Sequence, residues 1–258
     1  MSAQSNASRK TALVTGAARR IGRTIALALA QRGWDVVVHY QQSADAAQDV
    51  VGEIEALGRR AVALSCDLAD EAAARALLRR ASSLLGPISC VVNNASRFDY
   101  DTVQDISRAS LDAHMHANLL APVLLAQALH EATPAGAQAV AINLLDQKLY
   151  NLNPDFLSYT LSKSALQSAT TMLAQALAPK VRVVGVAPGI TLVSGNQTEA
   201  GFAHAHQATP LGRSSTPDDI AAAVCFLAES PAITGTTLVV DGGQHLIPLS
   251  RDVMFVAG

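Results

Sequence analysis

The chain has 258 residues, half of them apolar and 16% charged, which excludes a disordered polymer and is enough to bury a full core. A net charge of −2 and a pI near 6.4 offer no basic face to a nucleic acid. No apolar run approaches the roughly 18 residues of a membrane-spanning helix, and the polar start Met1–Lys10 has no signal-peptide core. A cytoplasmic protein is expected, with 1–10 as a flexible N-terminal tail.

Short β-branched runs alternate with longer helical ones. Thr11–Thr15 reads as a strand, and Ile21–Arg32 as a helix ended by Gly33. Asp35–His39 is a second strand, Ala44–Leu57 a helix stopped by Gly58, and Ala61–Cys66 a third strand. Glu71–Leu85 is a helix ended by Gly86 and Pro87, followed by strand Ile88–Val92 and a long helix over about Ser110–Glu131. Ala137–Asn143, Val181–Val186 and Thr237–Val240 are the remaining strands, and Leu157–Ala178 and Asp218–Glu229 the remaining helices. The strands are apolar throughout with little alternation, as strands buried on both faces are. The pattern predicts an α/β fold: a single Rossmann-type doubly wound domain over 11–258, with a central parallel sheet of about seven strands flanked by helices. The irregular stretch Gly189–Thr216 is long for an inner loop and is expected to be a substrate lid.

Cys66, Cys90 and Cys225 are odd in number and lie in apolar runs, so reduced buried thiols are expected, not a disulfide or metal framework. His114/His116 and His204/His206 are two apart, whereas a helical zinc pair needs a spacing of about four; no metal is expected. His204 and His206 fall in the lid stretch, and Trp34 reads as packing.

Thr15-Gly16-Ala17-Ala18-Arg19-Arg20-Ile21-Gly22 joins the first strand to the first helix. Small residues there let backbone N–H groups approach a pyrophosphate at a helix N-terminus, although glycine is also an ordinary turn residue. The second strand ends in His39-Tyr40-Gln41-Gln42-Ser43 without the acid that suits a ribose 2′-hydroxyl, and Asp35 is at the wrong end. Arg19 and Arg20 add forked cations suited to a 2′-phosphate, unless they are solvated surface residues; NADPH is therefore favoured over NADH. Tyr159 and Lys163, four apart on a predicted helix, share a face, and a nearby ammonium lowers a tyrosine pKa from its reference near 10. Such a tyrosine can donate or accept a proton.

In order, these motifs resemble the short-chain dehydrogenase/reductase family over nearly the whole chain. The resemblance rests on Thr15–Gly22, Asp67-Leu68, Asn93-Asn94-Ala95, Asn118, Tyr159 with Lys163, Pro188-Gly189 and Asp241-Gly242-Gly243. It implies Tyr159 as the acid/base, Lys163 lowering its pKa and holding the nicotinamide ribose, and Asn118 supporting a proton-relay water. It also implies Asp67 and Leu68 at the adenine, Asn94 and Ala95 near the ribose, and a homotetramer built on the two long helices.

One departure is informative. Most members of that family place a Ser thirteen residues before the Tyr to bind a substrate carbonyl; here the position is Asp146. A carboxylate would repel a carbonyl oxygen gaining negative charge, but it can pair with an N–H-rich heterocycle or supply a proton. An Asp after a strand also caps turns. The exchange resembles the pteridine reductase branch, as do the Thr15–Gly22 turn, His39-Tyr40 with Ser43, Asn94-Ala95-Ser96-Arg97-Phe98, and Pro188-Gly189-Ile190-Thr191. That branch implies Phe98 stacking on a pterin opposite the nicotinamide, Ser96 touching cofactor and the Thr191 hydroxyl turned to its phosphates; packing under a lid is the other reading of Phe98. Gln42 stands where the branch has an Arg, and Gln147–Leu157 shares little with it. The expected activity is NADPH-dependent reduction of a dihydropterin, dihydromonapterin or dihydrofolate. The alternatives are a carbonyl or 3-oxoacyl thioester reductase and a non-catalytic NADP-binding regulator.

Overall fold

The computed structural model describes residues 10–194 and 197–256; residues 1–9 of the expected tail lie outside them. Seven parallel strands form one sheet in the order β3-β2-β1-β4-β5-β6-β7. They are β1 (Thr11–Val14), β2 (Asp35–Tyr40), β3 (Ala61–Ser65), β4 (Cys90–Asn93), β5 (Ala139–Leu144), β6 (Val181–Pro188) and β7 (Thr237–Val240). The helices are α1 (Arg20–Gln31), α2 (Ala44–Ala56), α3 (Glu71–Leu85), α4 (Arg108–Met115), α5 (Ala121–Ala132), α6 (Leu157–Ala176), α7 (Glu199–Gln207), α8 (Pro217–Glu229) and the short α9 (Val253–Val256). The expected doubly wound α/β architecture is thus present. Strand order reverses between β1 and β4, and a crevice opens there at the carboxyl ends of the strands.

The apolar strands follow from burial on both faces. Val36 and Val38 of β2 face a layer containing Ile25 of α1, Ile54 of α2 and Leu227 of α8. Val37 of the same strand faces Leu77 of α3 and Leu125 and Leu129 of α5 on the other side. Each such buried Leu or Ile contributes about 1.5–3 kcal/mol. Cys66, Cys90 and Cys225 are free and buried, and Trp34 packs in the core beneath Lys10.

Three regions depart from the sequence reading. The long helix starts at Arg108 and is two α-helices joined by a π-helical turn, His116–Leu120. Pro122 has no N–H to give the carbonyl four residues back, that of Asn118, so the α-helical ladder is interrupted there. Within Gly189–Thr216, the irregular reading missed α7, whose Thr198 hydroxyl caps the Gly201 amide at 3.0 Å; residues 195–196 of this lid lie outside the described ones. The chain after β7 folds into a 3-10 turn, Gln244–Leu246, and α9, neither expected.

Close backbone approach fixes the turn after β1. A Cβ on Gly22 would run into the Gly16 carbonyl oxygen and the Asn94 side-chain amide. Gly22→Ala is therefore expected to cost about 1–3 kcal/mol and to lower the thermal midpoint by about 3–10 °C. An unchanged midpoint in thermal denaturation would mean that the turn relaxes freely.

Candidate active site

The turn is braced by hydrogen bonds between strand ends. Thr15 Oγ1 accepts from the amides of Asn94 (2.9 Å) and Ala95 (3.0 Å) and donates to the Val92 carbonyl. Asn94 Nδ2 donates to the Thr15 and Gly16 carbonyls. His39 accepts the Gly16 N–H at Nδ1 (3.1 Å) and contacts the Cys66 carbonyl from Nε2 (3.1 Å). Since a carbonyl only accepts, Nε2 carries the proton and the ring is neutral. Burial pushes its pKa down to about 4. The sequence placed His39 against the cofactor; it lines the cleft beside the turn, and its two nitrogens are committed to backbone, so it also locks the turn to β2 and to the end of β3.

These bonds shape a cleft of about 730 Å³ lined by Gly16, Arg19, Arg20, Ile21, Gly22, Asp67, Leu68, Asn94, Ala95 and Ser96. Arg19, at the N-cap of α1, makes no side-chain capping bond, and the first turn holds no acid. A helix end uncapped in this way suits an anion, so the cleft fits a dinucleotide's pyrophosphate. Asp35 is at the far end of β2, paired with Arg60 at 2.7 Å. Gln41 lines the cleft at the end of β2, whereas Tyr40 packs on the apolar cluster beside α1 and α2. Ser43 occupies the N-cap of α2 without a side-chain bond. Arg20 has a left-handed backbone (φ 53°), and its Nη2 reaches the Val193 carbonyl (3.0 Å) and Ser194 Oγ (3.3 Å) in the segment after β6.

A second cavity of about 230 Å³ shares Arg20, Ile21, Asn94, Ser96 and Phe98 with the cleft and adds Asp146, Tyr159, Lys163, Pro188, Gly189 and Thr191. Asp146 follows β5 with both oxygens engaged. Oδ1 accepts the Lys148 amide (2.8 Å) and Oδ2 accepts the Tyr159 hydroxyl (2.7 Å). Asp146 therefore caps its turn and at the same time bonds Tyr159 at the wall of this cavity. Lys163 donates from Nζ to the Leu144 carbonyl (2.7 Å) and lies 5.8 Å from the Tyr159 ring centre.

The electrostatics correct one expectation. The sequence has Lys163 lowering the tyrosine pKa. In the structure, burial and the adjoining Asp146 carboxylate push the Tyr159 phenol well above 10. Burial raises the Asp146 carboxyl and lowers the Lys163 ammonium to about 8. Burial is the largest cause, and the carboxylate that touches the phenol adds to it in the same direction, whereas the ammonium makes no contact with the hydroxyl.

Asn118 sits in the π-helical turn. Its Nδ2 donates to Ser162 Oγ (2.9 Å) and the Arg97 carbonyl (3.0 Å); its Oδ1 accepts from the Arg97 amide (2.8 Å) and Ser96 Oγ (3.2 Å). An amide has two donors and two acceptor sites, so this side chain is saturated by protein. The side chain ties the Ser96–Phe98 loop to α6, and of Asn118 only the carbonyl that Pro122 cannot serve is left for the expected relay water. Thr191 likewise turns its hydroxyl inward, to Ser215 Oγ and the Gly189 carbonyl, not to the cleft. Phe98 stacks on Phe156 (centres 4.3 Å apart) and meets Tyr159 edge-on (4.7 Å), with 40% of its surface exposed at the pocket. His206 turns back to the Ile190 carbonyl, and His114 spans the Ser110 carbonyl and the Asp99 amide.

Sequence reasoning missed Lys148, Asp252, Val253 and Met254, which also line the second cavity. No local pattern marks them, because the tail reaches the site across about a hundred residues. It also missed Phe156, whose left-handed backbone (φ 54°) starts α6.

The family model described as enoyl-(acyl carrier protein) reductase matches residues 16–245. An uncharacterized oxidoreductase of Methylorubrum extorquens is 35% identical over 91% of this chain and 97% of its own. The 3-oxoacyl-[acyl-carrier-protein] reductase FabG of Staphylococcus aureus is 32% identical over 92% of this chain and 98% of its own. Among solved structures, FolM alternative dihydrofolate reductase 1 from Brucella canis, complexed with NADP, superposes with a TM-score of 0.90. It is 40% identical and covers 94% of this chain and 96% of its own.

The His39 lock has a pH signature. Above pH 6.5 the ring is neutral folded or unfolded, and its share of stability is complete. Between 6.5 and about 4 the unfolded chain takes up a proton that the native chain refuses, so stability falls with pH. The loss is roughly 3 kcal/mol across that window and levels off below it. Urea unfolding at about pH 7 and about pH 5 is expected to show this slope in the parent and to lose it in His39→Asn.

Proposed function

We propose that this chain, which belongs to the short-chain dehydrogenase/reductase family, is an NADPH-dependent reductase of a pteridine: a dihydropterin, dihydromonapterin or dihydrofolate. The observation that carries the reading is the 2.7 Å bond from Tyr159 to Asp146, thirteen residues earlier, where a carbonyl reductase wants a neutral hydroxyl. The similarity to a dihydrofolate reductase complexed with NADP supports both halves of it.

The cleft supports the cofactor. The uncapped α1 terminus takes the pyrophosphate, with Gly16, Ile21 and Gly22 giving close backbone approach. Asn94, Ala95 and Ser96 line the ribose side, and Asp67 and Leu68 the adenine side. The end of β2 presents Gln41, Gln42 and Ser43 with Arg19 nearby and no acid, which admits a 2′-phosphate. Bound there, NADPH supplies a hydride.

The substrate's C=N π bond becomes one C–H and one N–H: the carbon takes the hydride and the nitrogen takes a proton. Tyr159 and Asp146 hold that proton. Burial pushes both groups up: the Tyr159 phenol carries its proton at neutral pH and a proton on Asp146 is favoured, so the pair is placed to act as a donor. Asp146 also offers an acceptor to ring N–H groups, which favours a pterin edge over a ketone. Lys163, lowered to about 8, is a cation on the same helix face that can return a proton after turnover. Phe98 gives a flat apolar wall at the pocket for the ring to stack on. Exposed Leu161 and Met172 on α6 fit the expected homotetramer.

The similarity to FabG supports a second reading, reduction of a carbonyl or oxoacyl thioester; Asp146 argues against it. The intact Tyr159–Lys163 pair argues against a non-catalytic regulator.

The test is consumption of NADPH with dihydrobiopterin, dihydrofolate and a ketone panel. Pterin turnover is expected, with Asp146→Ser losing most of it. Tyr159→Phe is expected to lose about a hundred-fold or more in kcat while keeping NADPH affinity. Ketone turnover alone, or a fully active Tyr159→Phe, would overturn the reading.

A further inference from the structure

The chain returns to the active site at its carboxyl end. Asp155, buried on the loop between β5 and α6, accepts bonds from Arg251 Nε and Nη2 (2.8 Å each) and from the Asp252 amide (2.7 Å). The Tyr100 hydroxyl adds a longer bond at 3.3 Å. These bonds strap 251–256 across the substrate pocket, where Asp252, Val253 and Met254 form part of its lining.

Beneath the strap lies Lys148, with only 3% of its surface exposed. Its Nζ donates to the Asp155 carbonyl (2.6 Å) and to Asp252 Oδ2 (3.0 Å), over the face of Phe156. Its own amide donates to Asp146 Oδ1. Lys148 therefore touches Asp146 through its backbone amide and Asp252 through its ammonium, with its alkyl stem between the two.

We propose that Lys148 and Asp252 are positioning residues: the C-terminal strap fixes the Asp252 carboxylate in the pocket that Asp146 lines, the buried Lys148 ammonium holds and compensates it there, and the pair so sets the charge Asp146 can carry. The proposal rests on Asp146 and Tyr159 handling the proton, as above. The groups facing Asp146 are Tyr159 and Lys163 from α6, Lys148 from the 3-10 turn Gln147–Tyr150, and Asp252 from the tail, with Arg20 of α1 lining the same pocket. Tyr159, Lys163 and Arg20 stay constant when only the pair is altered. The Asp252 carboxylate pushes both Asp146 and Tyr159 upward, which has the sign the proposal requires.

The two charges have opposite signs, so their removal has opposite effects. Asp252→Asn takes away an anion and leaves Lys148 without its carboxylate; both changes favour ionised Asp146. Lys148→Met takes away a cation and leaves Asp252 uncompensated, which favours the protonated form. A strap that served only to hold the chain together would lower stability in both variants without opposite shifts.

The experiment is a carboxyl-carbon NMR titration of the full-length protein labelled at aspartate, with the Asp146 signal identified by its loss in Asp146→Asn. It uses no substrate, so a chain that reduces no dihydropterin would lose the reading above and still answer this one. The Asp146 midpoint is expected to fall by about half to one pH unit in Asp252→Asn and to rise by a similar amount in Lys148→Met. Asp252→Glu keeps the charge and is expected to stay near the parent. An unmoved midpoint in either variant, or both moving the same way, would overturn the proposal. Should Asp252→Asn fail to fold, the direction in Lys148→Met decides alone.

Discussion

A buried phenol and a half-buried carboxylate 2.7 Å apart hold a proton between them only while both are kept from swinging to better-solvated positions. That requirement organises the site. Asp146 is fixed by the pairing of β5 with β6 just before it and by the Lys148 amide after it. Tyr159 is fixed by the first turn of a 20-residue helix and by the edge of Phe98. Burial sets the sign as well. In water the carboxyl would ionise several pH units before the phenol; here burial pushes both up, and the pair keeps a proton to give. A reductase acting on a ring nitrogen needs such a donor. A hydroxyl at position 146 would leave the phenol without the neighbour that raises it.

The two halves of the site are built differently. The cofactor half is backbone braced by side chains: Thr15, His39 and Asn94 each fasten one strand end to another. It depends on small residues and on a neutral imidazole, and it lies between consecutive elements at the reversal of strand order. The half proposed for the substrate is assembled from separated segments, the loop 147–156, the stretch after β6 and the tail 251–256, joined by charged side chains. A shared fold carries the first half, and the second is where one chain's chemistry can differ from another's.

This division explains what the sequence made legible. The βαβ alternation, the Thr15–Gly22 turn and the four-residue spacing of Tyr159 and Lys163 are local patterns, and each maps directly onto the structure. Asp146 was readable as an exception to a fixed offset. His39 and Asn118 were readable as positions but not as partners, because a side chain's hydrogen bonds depend on which strand ends and loops come near it. The π-helical turn had a local signal, Pro122 four residues after Asn118, which helical periodicity obscured. Lys148 and Asp252 had none: their pairing closes across 104 residues, and in sequence each is an unremarkable charge.

The strap also raises a question of energetics. A buried ion pair is weak support for stability, since removing two charges from water costs several kcal/mol per ion before their attraction offsets it. Lys148 with Asp252 is such a pair and is costly next to an apolar contact of the same volume, whereas Arg251 reaches buried Asp155 from a half-exposed position. An apolar tail would cover the pocket with less desolvation, but it would place no fixed charge beside Asp146 and no directional bonds to hold the wall in register. Rigid placement is what the proton pair requires, because the field of a charge changes steeply with distance in a poorly hydrated pocket. The position of these charges, between the tail and the carboxyl that holds the proton, is accounted for by what they do to Asp146 better than by what they add to the fold.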